Sequence, residues 1–310
     1  MSKSTLSTDR RDPISPDRTL HWKNRRSALI MAACKRSDYD RNKTMTEPCL
    51  ATVWECIVDD TRELVDQEPV LASFFHATIL NHRNMAASLS FHLANKLGND
   101  ITPALMLREV FDQAFAEDPS IIDSARHDIL ATWERDSACT DLVTPFLYFK
   151  GFHALESYRV AHWLWVRGRR ALALVLQNRI SVVFGVDIHP AAVVGKGVML
   201  DHATGIVIGE TAVVGDDVSV MQSVTLGGTG KESGDRHPKV GNGVLLGPGA
   251  KVLGNIEIGA GAKVTAASVV LKPVPEHAIV AGVPAKVVGH VTRQEAAQQM
   301  DQGLPGCQCD

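Results

Sequence analysis

The sequence predicts an α+β protein, with an all-α region over residues 49–185 followed by a parallel β-helix of hexapeptide repeats over residues 186–289. Two observations carry that reading. From Leu50 to Phe184 apolar residues recur at intervals of three and four, as in Leu50, Val53, Trp54, Ile57, Val58, Leu64 and Val65, which is the spacing of one helix face. From Ile188 to Val270 a small or apolar residue returns every sixth position: Ile188, Val194, Leu200, Ile206, Ala212, Val218, Val224, then Val240, Leu246, Val252, Ile258, Val264 and Val270. A fixed short period marks coils that cannot bury their own apolar face and must stack, and six residues per side predicts a triangular prism of roughly four turns.

The N-terminal 1–48 segment differs in composition from the rest of the chain. Its first 44 residues are rich in Arg, Lys and Ser, poor in apolar residues and positively charged, which reads as a disordered basic extension. A translation start at Met45 and a cleaved transit peptide compete with that reading, the latter disfavoured by Asp9, Asp12, Asp17, Asp38 and Asp40. In the helical region Pro69 opens a helix expected to run to Gly98. Thr102–Pro103, Asp118–Pro119 and Thr144–Pro145 each read as a cap with a first-turn proline, and Gly98, Gly168 and Gly185 read as stops. The connection Arg135–Asp141 (RDSACTD) is short enough to be ordered.

Within the array, glycine or a small residue follows many repeat positions, as at Gly195, Gly247 and Gly259, because coil corners demand little bulk or a positive φ. The array breaks between Val224 and Val240, so a loop from Leu226 to Lys239 (LGGTGKESGDRHPK) leaves the prism there. Pro273, Pro275 and Pro284 end it. The 290–310 tail has few apolar anchors and is expected to be flexible.

A net charge of −3 gives no general attraction to nucleic acid or to a membrane surface, and Arg167, Arg169, Arg170 and Arg179 interrupt the most apolar stretch. Six scattered cysteines lack the spacing of a secreted disulfide framework, so a reducing, cytoplasmic setting is expected. Cys307 and Cys309 alone are a weak metal motif.

Three segments bring His and Asp into the array: VDIHP from Val186, LDHATG from Leu200, and GDRHPK ending at Lys239. One prism turn takes about 18 residues, so Asp187 and His202 can lie on neighbouring coils near one corner. An Asp bonded to one imidazole nitrogen leaves the other as a base near neutral pH, while a corner His bonded to a backbone carbonyl is the plainer alternative. The loop glycines Gly227, Gly228 and Gly230 lack the Lys-Ser/Thr pair of a P-loop, but adjacent glycines let backbone N–H groups approach a carbonyl or thioester. Arg236 and His237 suit a carboxylate, with a solvated charged loop as the alternative.

Over Thr52–Gly289 the chain resembles the bacterial serine O-acetyltransferases of the hexapeptide-repeat acyltransferase superfamily. The likeness is carried by LASFFHATIL, LANKLG, TPFLYFKGFHALESYR, VDIHPAA, LDHATGIVIGETA, QSVTLGGTGKESGDRHPK and AGVPAKVVG. The resemblance implies a left-handed coil, homotrimers with sites between adjacent prisms, and dimers of trimers formed through the helical regions. It implies direct acetyl transfer from acetyl-CoA to the L-serine hydroxyl without a metal, as the first step of cysteine biosynthesis, with L-cysteine as feedback inhibitor. His202 would be the general base and Asp187 its orienting carboxylate. Asp136 and Asp201 would hold the serine ammonium; Arg236 and His237 would hold its carboxylate. Gly227 and Gly228 would lie at the thioester, and Gly247, Ala250, Lys263 and Ala266 along CoA. Pro248 stands where the family often has a small residue. The chain ends in Asp310 and not in isoleucine, which counts against docking into cysteine synthase (O-acetylserine sulfhydrylase).

Rival readings are an acyltransferase for a sugar or antibiotic hydroxyl, a zinc carbonic anhydrase on the same prism, and a silent scaffold. The helical region with Asp136 and the GDRHPK segment weigh against the first. His189, His202 and His237 are too widely spaced for the second.

Overall fold

A computed structural model describes residues 50, 52–230, 233–291 and 296–303. The basic 1–48 extension and the Cys307–Cys309 pair lie outside the described residues. Among the described residues the helical region comprises α1 (Val53–Gln67), α2 (Ala72–Phe75), α3 (Met85–Leu97), α4 (Ala104–Glu117), α5 (Ser120–Arg135), α6 (Val143–Tyr148), α7 (Lys150–Val166) and α8 (Arg170–Phe184). No helix there is long and apolar enough to cross a membrane.

The helix expected from Pro69 to Gly98 is broken. A 3-10 turn (Pro69–Leu71), α2 and a π turn (His76–Leu80) precede α3. The polar run Asn81–Asn84 interrupts it, because extended Asn84 accepts from the Ala87 amide through its side chain and starts a new helix (3.0 Å). Thr102 does not cap α4; its hydroxyl donates to Asn99. Asp118 does serve the start of α5, accepting from the Ser120 amide. For α6 the side-chain acceptor is Asp141, not Thr144: Asp141 Oδ1 takes the Thr144 amide at 2.7 Å. Gly185 ends α8 with a left-handed φ of 68°. Of the helical histidines, His92 and His153 are buried against the carbonyls of Leu147 and Phe146, and burial lowers the His92 pKa to about 4.

The prism has three parallel sheets. Face 1 stacks β1 (Val186–Ile188), β4 (Ile206–Ile208), β7 (Thr225–Gly227), β10 (Lys251–Leu253) and β13 (Val269–Val270). Face 2 stacks β2 (Val193–Val194), β5 (Val213–Val214), β8 (Lys239–Val240) and β11 (Glu257–Ile258). Face 3 stacks β3 (Met199–Leu200), β6 (Ser219–Val220), β9 (Leu245–Leu246), β12 (Lys263–Val264) and β14 (Ala278–Gly282), with β15 (Ala285–His290) returning antiparallel. The five strands of face 1 give about five coils, one more than the repeat count implied.

The register corrects the array. Ile188 lies beside Ile208, Ile208 beside Leu226, Leu226 beside Val252, and Val252 beside Val270. The repeat positions are therefore Ile208, Val214 and Val220 in the second coil and Leu226 at the start of the third, two residues beyond the Ile206, Ala212, Val218 and Val224 of the sequence frame. All eight are buried. Each side offers two inward residues spaced by two, so a six-residue period runs equally well in two frames. The single break becomes two: an insertion of two residues after Leu200 and a longer one after Leu226.

Helices and prism are joined by a buried ionic cluster. Arg159 donates to Asp128 Oδ2 (2.5 and 3.1 Å) and to the carbonyls of Val194 and Gly195, while Asp128 Oδ1 accepts the Val198 amide at 2.7 Å. Glu156 is also fully buried, with Oε2 3.5 Å from Arg159 Nε. Burial, reinforced by the Asp128 carboxylate, raises its pKa well above the usual range, so Glu156 is the neutral member. The tail, expected to have few apolar anchors, buries Ala296 and Ala297 in α9 (Ala296–Gln299), and the Ala297 carbonyl accepts from Ser219 Oγ at 3.0 Å.

Asp128→Ala leaves Arg159 buried without its partner, and urea unfolding is expected to show a loss of about 3–5 kcal/mol. Glu156→Gln has the opposite character. A raised folded pKa means that the wild-type contribution is complete below the unfolded carboxyl pKa and is lost as pH rises toward the folded value. The Gln variant should therefore gain on wild type between pH 5 and pH 8; equal stabilities at both pH values would refute a neutral Glu156.

Candidate active site

The expected residues assemble at two corners of face 1. The corner between faces 3 and 1 is a tight turn in each of the first four coils, each using one left-handed residue: Gly205, Ser223, Gly249 and Ala267. The first of these turns carries the two-residue insertion, and two further positive φ values fall there, at His202 (53°) and Ala203 (59°). Ala203 is buried and anchors the turn, whereas the His202 side chain is 75% exposed. The insertion thus lifts an imidazole off the prism surface.

Two carboxylates face that turn. Asp201, its side chain 14% exposed, lies 3.8 Å from His202 Nε2. Asp136 ends α5 and accepts the Ala138 amide at 2.8 Å, which orders the RDSACTD connection. Burial raises the Asp201 pKa and the Asp136 charge pushes it the same way, while His202 opposes both. Two carboxylates brought together on a partly buried surface form a natural seat for an ammonium ion. Arg135 holds α5 in place by donating to Asp217 (3.1 Å) and Ser219 (3.2 Å).

Asp187 stands on the outer side of β1, since Val186 and Ile188 on either side point inward. Two residues before it, the Gly185 carbonyl accepts the Gly205 amide of the His202 turn at 2.7 Å. Asp187 itself accepts from Gln177 Nε2 of α8 at 2.7 Å and makes no ion pair with His202 among the described residues.

The second corner, between faces 1 and 2, gathers Arg236 and His237 with residues that sequence reasoning passed over. Arg236 Nη2 donates to Glu210 Oε2 at 2.8 Å. The Thr211 hydroxyl accepts the amides of both Arg236 (3.0 Å) and His237 (3.1 Å) and lies 2.9 Å from His237 Nδ1. The Thr211 amide also donates to that nitrogen at 3.2 Å, which leaves the His237 proton on Nε2. Burial, then the Arg236 charge, holds the His237 pKa below the ordinary value. His189 faces both Glu210 and Arg236 and accepts the Ala191 amide through Nδ1. A charged residue at a corner otherwise built from Gly and small residues, as in GET at Gly209–Thr211, was the signal available for Glu210.

The expected CoA residues divide. Gly227 ends β7 on face 1, and Gly228 follows it at the mouth of the loop, where a Cβ would sit 3.4 Å from Arg236 Cγ. Gly247 and Ala266 stack on successive coils at the first corner, with no room between them: a Cβ on Gly247 would meet the Ala266 amide nitrogen at 2.8 Å. Ala250 is buried inside the prism. Lys263 is buried on face 3, donating to Asp301 (3.3 Å) and the Gly303 carbonyl (2.7 Å). Among the described residues no group of three or more His, Cys, Asp or Glu side chains is placed to hold a metal ion.

Gly209 lies against the His237 ring, and a Cβ there would fall 2.0 Å from Nε2. Gly209→Ala is expected to expel the imidazole from its Thr211 contact. In an NMR titration His237 should then titrate closer to an ordinary histidine than in wild type; an unmoved curve would contradict this packing.

Residues 53–157 match the family model described as "Serine acetyltransferase, N-terminal". The serine acetyltransferase of Salmonella typhimurium is 59% identical over 261 residues, covering 84% of this chain and 96% of that protein. A serine acetyltransferase structure in complex with cysteine is 57% identical with a TM-score of 0.81, covering 82% of this chain and 99% of its own. One in complex with CoA is 58% identical (TM-score 0.75; 77% and 100% covered), and the soybean enzyme complexed with serine is 52% identical (TM-score 0.75; 76% and 97% covered). With a helical region leading into a parallel β-solenoid, and at these identities over nearly the full length of its relatives, the chain belongs to the serine acetyltransferase family.

Proposed function

We propose that the protein transfers the acetyl group of acetyl-CoA to the hydroxyl of L-serine, giving O-acetylserine and CoA, the first step of cysteine biosynthesis, in the cytoplasm. The observation that carries this reading is the pairing of an exposed imidazole with two carboxylates at one corner, and of a guanidinium with a neutral imidazole at the next. An amino acid needs both: an acidic seat for its ammonium and a cationic one for its carboxylate.

Gly205–Gly209 spans the face between these corners, about 13 Å at ~3.3 Å per extended residue. Serine is much shorter than that. The two halves therefore serve one substrate only if the first corner of one protomer meets the second corner of a neighbour, as a ring of three prisms allows. In that site Asp136 and Asp201 hold the serine ammonium while Arg236 and His237 of the adjacent protomer hold the carboxylate. His202 takes the hydroxyl proton as the oxygen attacks the thioester carbonyl, and Asp187 orients the imidazolium that results. The new C–O bond forms, the C–S bond breaks, and the proton on His202 passes to the departing CoA sulfur. Gly227 and Gly228 bring backbone N–H groups to the tetrahedral oxyanion, an effect of about 3 kcal/mol per donor in other acyl-transfer enzymes.

CoA then runs along the coils toward Gly247 and Ala266; Ala250, also expected along CoA, is buried inside the prism and does not reach it. Lys263 joins it only by leaving Asp301 and Gly303. L-Cysteine differs from serine by one atom and presents the same ammonium and carboxylate, so it competes for the same grips. That relatives have been obtained with cysteine, CoA and serine bound supports each of these ligands here.

Thiol release from acetyl-CoA, measured with L-serine beside homoserine and a sugar acceptor, is expected to favour serine. His202→Ala should lower kcat by about 10²–10⁴-fold. Serine-independent turnover, or an unimpaired variant, would sink the assignment, and cysteine that left serine kinetics unchanged would remove the feedback role. Sharing of the site is tested by mixing: His202→Ala and Arg236→Ala proteins, each nearly inactive, should regain activity when dissociated and reassembled together. Mixtures that stay inactive while forming hybrid oligomers would place the whole site in one protomer.

A further inference from the structure

The His202 turn is costly to hold. Two consecutive non-glycine residues with φ of 53° and 59° each occupy the left-handed region, which a side chain bearing a Cβ disfavours. Such a turn persists only if its surroundings over-determine it. Most of its anchors are backbone bonds to neighbouring coils: Asp201 N to the Val220 carbonyl (2.8 Å), Gly205 N to Gly185 (2.7 Å), and Ser223 N to the Thr204 carbonyl (2.8 Å). One anchor comes from elsewhere. Lys150, the first residue of α7, donates its ammonium to Thr204 Oγ1 inside the turn.

A cation in the first turn of a helix opposes the macrodipole, so local helix energetics do not explain a lysine there. The fold does fix its place. Gly151, the next residue, abuts the end of β3 so closely that a Cβ would lie 2.0 Å from the Leu200 carbonyl oxygen. The start of α7 is thereby keyed to the residue immediately before Asp201, and Lys150 reaches the turn from the helical region.

We propose that Lys150 is a positioning residue for acetyl transfer, clamping the 201–205 turn through the Thr204 hydroxyl so that His202 holds its working orientation; this rests on the reading of His202 as the general base. The helical region would then contribute twice to the first corner, through Asp136 for the substrate and through Lys150 for the base.

Lys150→Met should lower kcat about tenfold or more with little change in the KM for acetyl-CoA, and Lys150→Arg should recover most of the loss. Thr204→Val should reproduce the defect, Thr204→Ser should escape it, and the Met/Val double variant should be no worse than either single one. Amide hydrogen exchange supplies a readout independent of turnover: residues 203–205 should exchange faster in Lys150→Met while β-strand amides in the other coils stay protected. A kcat within twofold of wild type, or a Thr204→Val enzyme of normal activity beside an impaired Lys150→Met, would overturn the clamp. Unchanged exchange at residues 203–205 would also overturn it. If wild type itself fails to acetylate serine, the acetyl-transfer reading falls, and the exchange result alone still decides whether Lys150 holds the turn.

Discussion

Parallel ladders on three faces impose one constraint on which the whole molecule depends. Each coil must return to its starting face in register with the coil below, so extra residues cannot be absorbed within a strand and must leave at a corner. Most coils obey the six-residue side. The two insertions are placed where the chain can leave, one after Leu200 and one after Leu226, and both carry candidate functional side chains. The short insertion makes a tight, left-handed turn that projects His202; the long one makes a loop that folds Arg236 and His237 back onto Glu210 and Thr211. Regularity elsewhere gives the rigidity that makes two irregular corners dependable.

The helical region matters because a bare corner is incomplete. Asp136 comes from the end of α5, and its position depends on how that helix is fixed to the prism. Asp128 and Arg159 bind the first coil through backbone amides and carbonyls, and Arg135 reaches Asp217 and Ser219 on the next coil. A buried ion pair adds little net stability compared with apolar packing, but it fixes one relative placement of two elements, because any slip leaves charges unpaired. In the proposed site, placing Asp136 against Asp201 would give such a costly cluster a use.

Much of this was legible in the chain. Three-and-four spacing gave the helices, the six-residue period gave the prism, and the VDIHP, LDHATG and GDRHPK segments supplied the candidate site residues. The coil register was not legible, because both inward residues of a side are apolar and Ile206 serves the pattern as well as Ile208. The extra residues around His202 were therefore absorbed silently into the period, and only the longer break was seen. Thr102 and Thr144 are not caps, because Thr102 is drawn into a turn on Asn99 and the Thr144 amide is itself taken by Asp141, choices that depend on loop geometry. Glu210, Thr211 and Lys150 escaped notice because their significance lies in contacts with residues 26 or 54 positions away.

The two corners also differ in how they prepare for charge. At the first, burial and the Asp136 charge raise the Asp201 pKa against the opposing pull of His202, so in the proposed site an arriving ammonium would add to that pull. At the second, Arg236 already has Glu210, whose pKa its hydrogen bond lowers, and His237 is held neutral. A ligand carboxylate must therefore share or displace Glu210, which weakens the grip on any simple anion. Only a molecule that also satisfies the acidic seat recovers that loss. In the proposed site, selectivity for a zwitterionic amino acid over a plain carboxylate or a plain amine would arise from one corner being underneutralised and the other already occupied, and it would require both to act on the same molecule.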